Sequence, residues 1–356
     1  QRLAFLVGAV DRPDPRKIHR APTARLGGLA VVGGFAAPWG MLYFLDNRVA
    51  IVFQENHSLF VTLILCGLVM FLIGVIDDIR GLSASFKLVC QIGVAVGMHE
   101  GGFRIGEISN PFGNSWQLGW LSLPVTVVWI VGLTNATNLL DGMDGLAAGV
   151  AAVLAMSLAM INIMGGNPVV ALLTFALAGA ALGFLPYNFP PARIFLGDSG
   201  SLFLGLVMAA ISTLSFFKTA TATLVFVPFL LFGLPLFDTF QVVVGRLRRG
   251  QHPFSPDKTH VHHRLLDFGL DQLQAATLLY SIAIFLGISS IILSWRLDSR
   301  TFLGLFIAGT LLTLAVLYSI RRIRRRRTAG SGSGSRSSPG TATPEPAPSS
   351  EPPPAP

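Results

Sequence analysis

Asp77 and Asp78 close an apolar run, LFVTLILCGLVMFLIGVI from Leu59 to Ile76, that is long enough to cross a bilayer. Adjacent carboxylates raise each other's pKa unless a cation neutralises them, so the pair is a candidate for metal binding or proton transfer. A solvated helix end explains the same two residues as well, because an acid at the membrane edge reaches water.

Four further polar clusters carry comparable chemistry. In NATNLLDGMDGLAAG, Asn135, Asn138, Asp141 and Asp144 recur every third residue and would form one polar ridge on a helix or tight turn. The two Asp-Gly pairs supply turn chemistry, and glycine lets a backbone approach a phosphate. An ordinary polar loop cap is the alternative; an EF-hand is excluded by the spacing. In YNFPPARIFLGDSGS, Asn188 and Asp198 flank a Pro-rich turn. Asp198 either caps the following helix or offers an oxygen ligand to Mg2+.

In HVHHR, His260, His262 and His263 stand beside Arg264; such imidazoles bind zinc, donate to phosphate or are simply solvated. Hard carboxylate oxygens without cysteine favour Mg2+ or Mn2+ over zinc, and the surrounding Arg and Lys favour phosphate. The N-terminal loop holds Asp11, Asp14, Arg16, Lys17, His19, Arg20 and Arg25 before Gly27-Gly28, a set that a topology-setting basic loop also explains. Asp238 sits about two turns inside an apolar stretch, where a lone carboxylate is costly. It is expected to face the bundle interior, pairing with a cation or orienting a loop.

The elements that position these groups are membrane helices. Only 12% of residues are charged and 52% are hydrophobic, against about 25% charged in soluble domains. The fold class is all-α, a polytopic transmembrane bundle with no soluble globular domain. Ten stretches are candidate spans: 26–45, 59–76, 86–99, 118–134, 145–164, 169–187, 201–217, 222–245, 275–293 and 302–320. The third is short, suiting a tilted or half-buried helix. Abundant glycine suits close helix packing in lipid, and Cys66 and Cys90 read as small core residues. The start, QRLAFLVGAV, is too short to span, and a chain that begins after a removed first helix or is a fragment is expected. Residues 1–327 form the membrane-embedded domain; residues 328–356, rich in Ser, Pro and Gly, are expected to be disordered.

If the spans alternate sides, one set of connections holds 21 of the 26 basic residues. The positive-inside rule places that set in the cytoplasm. The five polar clusters fall on the same face, where a net charge of +8 attracts anionic lipid and anionic substrates. Short loops without interleaved aromatics disfavour nucleic acid. Carboxylates, basic groups and histidines at a membrane surface suit phosphoryl transfer to a lipid, with Mg2+ clamping a pyrophosphate.

The chain resembles the polyprenyl-phosphate N-acetylhexosamine-1-phosphate transferases along nearly its whole length. DRPDPRKIHRAPTARLGG, GVIDDIRGL, NATNLLDGMDGLAAG and FLGDSGSLFLG match that family's signatures in order. HVHHRLL is similar to the loop of the branch using UDP-N-acetylglucosamine, the WecA/TagO type. The family has one more helix before its first signature, in line with the short start.

The resemblance implies a bacterial plasma-membrane enzyme transferring N-acetylglucosamine-1-phosphate from UDP-N-acetylglucosamine to undecaprenyl phosphate. UMP is released in one displacement or through a covalent aspartyl intermediate, as the first membrane step of cell-envelope glycan synthesis. It further implies Mg2+ coordination by Asp198, with Asp77 and Asp78 at the metal and Asp77 deprotonating or orienting the lipid phosphate. Asn138, Asp141, Asp144 and Asn188 would bind uridine or position the diphosphate; His260, His262, His263 and Arg264 would hold phosphate or sugar. Arg80 and Lys87 would meet the acceptor phosphate, with Arg25 and Asn135 completing the substrate-binding set. Membrane lipids are expected neighbours, and a homodimer through apolar faces is in keeping with the class.

Three alternatives share parts of this pattern. The same chemistry on UDP-N-acetylmuramoyl-pentapeptide or another UDP-sugar differs only at the donor. The CDP-alcohol phosphotransferases require a DGxxAR signature, absent here. An ion-coupled transporter predicts mid-membrane charges and an internal repeat, whereas only Asp238 lies within a span.

Overall fold

A computed structural model describes residues 2–11, 22–42, 44–45, 48–108, 116–216, 226–251 and 260–294. The stretch 302–320, the tail 328–356 and most of the first basic loop, including Asp14, Arg16, Lys17, His19 and Arg20, lie outside them.

The described chain is helical throughout, with two small hairpins. After α1 (Arg2–Val7), strand β1 (Val10–Asp11) pairs antiparallel with β2 (Thr23–Ala24). Next come α2 (Gly27–Leu42), α3 (Arg48–Glu55), α4 (His57–Arg80) and α5 (Ala84–Glu100). A hairpin of β3 (Glu107–Ile108) with β4 (Trp116–Gln117) leads into α6 (Ser122–Leu140), α7 (Leu146–Met164), α8 (Pro168–Asn188) and α9 (Gly197–Phe216). The chain closes through α10 (Phe226–Leu231), α11 (Gly233–Arg248), α12 (Val261–Asp267) and α13 (Gln272–Ser294). Six of the described helices are long and apolar enough to cross a membrane, and the protein is a polytopic membrane protein.

The most enclosed helices are α7 and α9, against which α2, α4, α6, α8 and α13 pack. Lipid tails are as apolar as leucine, so association rests on close backbone approach and dispersion. Small residues on α7 (LAAGVAAVLAMSLAM) permit that approach. Hydroxyls inside the bundle bond within their own helix: Thr134 Oγ1 donates to Ile130 O at 2.7 Å and Thr137 Oγ1 to Leu133 O at 2.9 Å. A polar side chain therefore costs little there.

Four stretches depart from their expected bounds by four residues or more; the run 59–76 continues as helix to Arg80, which puts Asp77 and Asp78 inside α4. The run 222–245 is broken at Phe232 into α10 and α11. Pro235 has no N–H for the carbonyl four residues earlier, and its ring would clash with that carbonyl, so a continuous helix is interrupted. The run 118–134 continues as helix to Leu140, because the amides of Asn135 and Asn138 find partners on neighbouring helices. The run 201–217 begins four residues earlier, at Gly197, which puts Asp198 inside the first turn of α9.

Candidate functional site at the loop end of the bundle

The C-terminal ends of α4, α6 and α8 and the N-terminal ends of α2, α5, α7 and α9 come together at one end of the bundle. Its foundation is a small non-helical platform. Phe195 N donates to Ala24 O at 2.8 Å, and Gly27 N and Gly28 N donate to Phe195 O and Leu196 O, both at 3.0 Å. The first turn of α9 is seated on this platform. A Cβ at Gly74 would stand 2.4 Å from the Ser199 Cα, so only glycine lets α4 lie directly on that turn. Gly197 opens the turn at φ +73°, a left-handed conformation that glycine adopts without strain.

Asp77 and Asp78 are one residue apart on α4 and diverge. Asp77 Oδ1 accepts from Leu82 N, and its Oδ2 accepts from Lys87 Nζ at 2.6 Å. The same ammonium donates to Asp198 Oδ2 at 2.9 Å. Asp78 instead receives the first turn of α9, its Oδ1 accepting from Asp198 N at 3.0 Å and its Oδ2 from Ser199 N at 3.1 Å. Asp78 is thus the cap of α9 contributed by another helix. Asp198, a candidate for that cap, has its carboxylate free for Lys87.

The remaining acidic groups surround this cluster. Burial pushes the Asp141 carboxyl well above the usual carboxylate range; the charges of Asp198 and Asp78 push the same way, and Arg25 opposes them. Arg25 Nη2 pairs with Asp11 Oδ1 at 3.0 Å. Asp144 Oδ2 accepts from Ala192 N at 3.0 Å, tying the DGMDG turn to the Pro-rich loop.

A folded-state pKa raised above the unfolded value means that stability falls as pH rises between the two. Asp141→Asn removes the charge and should melt above the parent at neutral pH, the gap closing as pH falls toward 4. An Asn variant that melts below the parent at neutral pH would contradict this electrostatic reading.

The asparagines divide. Asn138 Nδ2 donates to Ser201 Oγ at 2.8 Å, and Ser201 Oγ donates to Gly197 O at 3.0 Å, so Asn138 braces the first turn of α9. Asn135 is turned away from the acids: its Nδ2 donates to Gln91 Oε1 at 2.6 Å while Gln91 Nε2 donates back at 3.3 Å. That reciprocal amide pair joins α5 to α6. Asn188 is buried, with Oδ1 accepting from Gly145 N at 3.1 Å and Nδ2 donating to Ile194 O at 3.0 Å. Both ends of its amide are taken by backbone, so it staples the DGMDG turn to the Pro-rich loop.

The histidine loop leans on the same end. His262 is 1% exposed, and neither ring nitrogen has a hydrogen-bond partner among the described residues. A Cβ at Gly142 would meet the His262 ring, so the ring abuts the DGMDG turn. Burial, helped by the neighbouring charge of His263, lowers its pKa to about 4, and the ring is neutral at neutral pH. The His263 ring lies 4.3 Å from that of His262, tilted by 41°. Arg264 is exposed and donates to Gln241 Oε1 at 3.2 Å. Arg80 is exposed at the end of α4 and makes no ion pair among the described residues. Asp238, as expected, faces inward and orients a loop: it accepts from His260 Nδ1 at 2.8 Å and from Val261 N at 2.7 Å.

Sequence reasoning passed over Ser201, Gln91, Gly142 and Gly74. Gly74, Gly142 and Ser201 lie inside motifs already singled out; only Gln91 carried no signal.

Two carboxylate oxygens converging on one cationic atom are a donor set for a hard divalent ion. Among the described residues no group of three His, Cys, Asp or Glu converges as a metal site. Mg2+ is ordinarily held by one or two carboxylates and completes its shell with water and substrate phosphate.

Residues 60–216 match the model of glycosyl transferase family 4, a stretch carrying Asp77, Asp78, Lys87, Asn138, Asp141 and Asp198. The chain is 37% identical over 308 residues to the "Probable undecaprenyl-phosphate N-acetylglucosaminyl 1-phosphate transferase" of Bacillus subtilis, covering 86% of this chain and 82% of that protein. It is 34% identical over 338 residues to the "Decaprenyl-phosphate N-acetylglucosaminephosphotransferase" of Mycobacterium tuberculosis, covering 88% and 83%. To the "Undecaprenyl-phosphate alpha-N-acetylglucosaminyl 1-phosphate transferase" of Escherichia coli it is 29% identical over 344 residues, covering 92% and 90%. Signatures, helical bundle and end-of-bundle acids agree with these similarities, and the chain belongs to glycosyl transferase family 4.

Proposed function

We propose that the protein transfers N-acetylglucosamine-1-phosphate from UDP-N-acetylglucosamine to undecaprenyl phosphate, at the cytoplasmic face of a bacterial plasma membrane. The observation that carries this reading is the meeting of Asp77 and Asp198 on Lys87 at the end of an apolar bundle. The relatives above, named for the same donor sugar and for undecaprenyl or decaprenyl acceptors, support it.

In the reaction an oxygen of the lipid phosphate attacks the β-phosphorus of the donor. The bond from that phosphorus to the bridging oxygen breaks, and UMP departs. Lys87, already within hydrogen-bond reach of both acids, receives the acceptor phosphate and offsets its charge. Asp77 takes or orients the acceptor proton. His262 offers the donor two nitrogens that the protein itself does not use, and His263 and Arg264 supply charge for its phosphates. Asp198 and Asp77 would hold Mg2+, which supplies charge neutralisation across the diphosphate when bound. Asp78 is omitted from that set because both its oxygens serve the α9 backbone.

Donor choice is the finer part of the reading. Purified protein with undecaprenyl phosphate and Mg2+ should release UMP from UDP-N-acetylglucosamine and not from UDP-N-acetylmuramoyl-pentapeptide. The reverse preference would overturn the donor assignment.

A further inference from the structure

The Asp238 carboxylate is 2% exposed on α11 and spends both oxygens on the start of the histidine loop. Such a group is expensive inside a membrane protein and persists where its partners are fixed. One oxygen meets the ring of His260, itself 5% exposed, and the other meets the backbone N–H that opens α12. No side chain of α12's own N-cap residue performs that second task. The loop is therefore pinned from a neighbouring helix at two points, one imidazole and one peptide.

The first contact has a chemical consequence. An ionised carboxylate only accepts hydrogen bonds, so Nδ1 of His260 carries the hydrogen. Nε2, which bonds to no described residue, is left as the nitrogen open to a ligand. A carboxylate behind an imidazole fixes the ring's tautomer and orientation and strengthens it as an acceptor and proton carrier. His260 in turn lies parallel to His262, 5.8 Å between ring centroids and 13° between planes, and His262 abuts Gly142 of the acidic turn. Orientation set at Asp238 thus reaches the donor side of the site through two stacked rings.

We propose that Asp238 is a positioning residue for the donor: it fixes the tautomer of His260 and the first peptide of α12, and so sets the histidine loop for a nucleotide diphosphate sugar. This rests on the functional reading above. Asp238→Asn is the informative variant, because its amide oxygen can still accept from Val261 N while the amide nitrogen can only donate toward His260. The wrong tautomer then results in a nearly isosteric site.

The test is steady-state UMP release by the full-length chain in detergent, with UDP-N-acetylglucosamine and undecaprenyl phosphate varied separately. Asp238→Asn is expected to lower kcat/KM for the donor about 10- to 100-fold, to leave KM for the lipid acceptor unchanged, and to melt within a few degrees of the parent. Combined with His260→Gln it should cost little more than either change alone, since both act through one ring. Three results would overturn the proposal: donor kinetics equal to the parent's, equal loss toward donor and acceptor, or losses that multiply in the double variant. Asp238→Ala, which also frees the α12 peptide, separates folding from positioning by its melting temperature. A parent chain that releases no UMP would overturn the underlying functional reading, and with it this one; an active parent with an unaffected Asn variant would overturn this one alone.

Discussion

Asp198→Ala is expected to lower UMP release about a thousandfold, the scale on which removing one preorganised charge from a transfer site acts. The side chain sits in the first turn of α9, outside the hydrogen bonds that hold that turn, and its only described ion pair is to Lys87. Its removal should therefore leave the fold intact. The variant's melting temperature should match the parent's while its rate collapses. A steady-state assay with saturating donor and acceptor checks the rate, and retention of more than a tenth of the parent's activity would contradict the assignment.

The second large effect concerns its neighbour on α4 and should look different. Asp78 accepts from two backbone N–H groups of α9, so Asp78→Ala leaves both without a partner at a buried helix start. Loss of such a cap costs about 1–2 kcal/mol, and it also releases the turn that carries Asp198. Stability and activity should fall together. Asp78→Asn keeps one accepting oxygen and should recover part of both. Thermal unfolding measured beside UMP release separates the cases: the Asp198 variant loses activity alone, whereas the Asp78 variant loses both. An Asp78→Ala protein with the parent's melting temperature would mean that the cap is dispensable.

That difference between Asp77 and Asp78 marks where sequence reasoning stops. Both end the same apolar run, and their charge and position alone made either one a metal ligand. Successive residues on a helix point about 100° apart, so one carboxylate faces Lys87 on α5 and the other faces α9. Which is which depends on how α4 packs, and that is set by Gly74 against Ser199. Asn135 and Asn138 repeat the point. Three residues apart on α6, they meet Gln91 on α5 and Ser201 on α9, and only the second braces the acidic cluster.

The helices were more legible than the site. Apolar runs near the thickness of a bilayer leave the backbone no alternative to helix in lipid, and most of the described runs became single helices. Departures came where side chains, not hydropathy, decide. Pro235 interrupts the run at Phe232, and the amides of Asn135 and Asn138 let α6 continue to Leu140 because neighbours satisfy them. The inward turn of Asp238 was expected from its burial cost; its two partners, His260 and Val261, became visible only with the loop folded against α11.

Identification of the nucleotide released in a reaction of purified protein, UDP-N-acetylglucosamine, undecaprenyl phosphate and Mg2+ is the most direct test of sugar-phosphate transfer. Attack on the β-phosphorus predicts UMP and a lipid diphosphate carrying N-acetylglucosamine, both lost on omitting the lipid. Release of UDP, which would mean attack at the sugar carbon, or no nucleotide release from the intact chain, would contradict it.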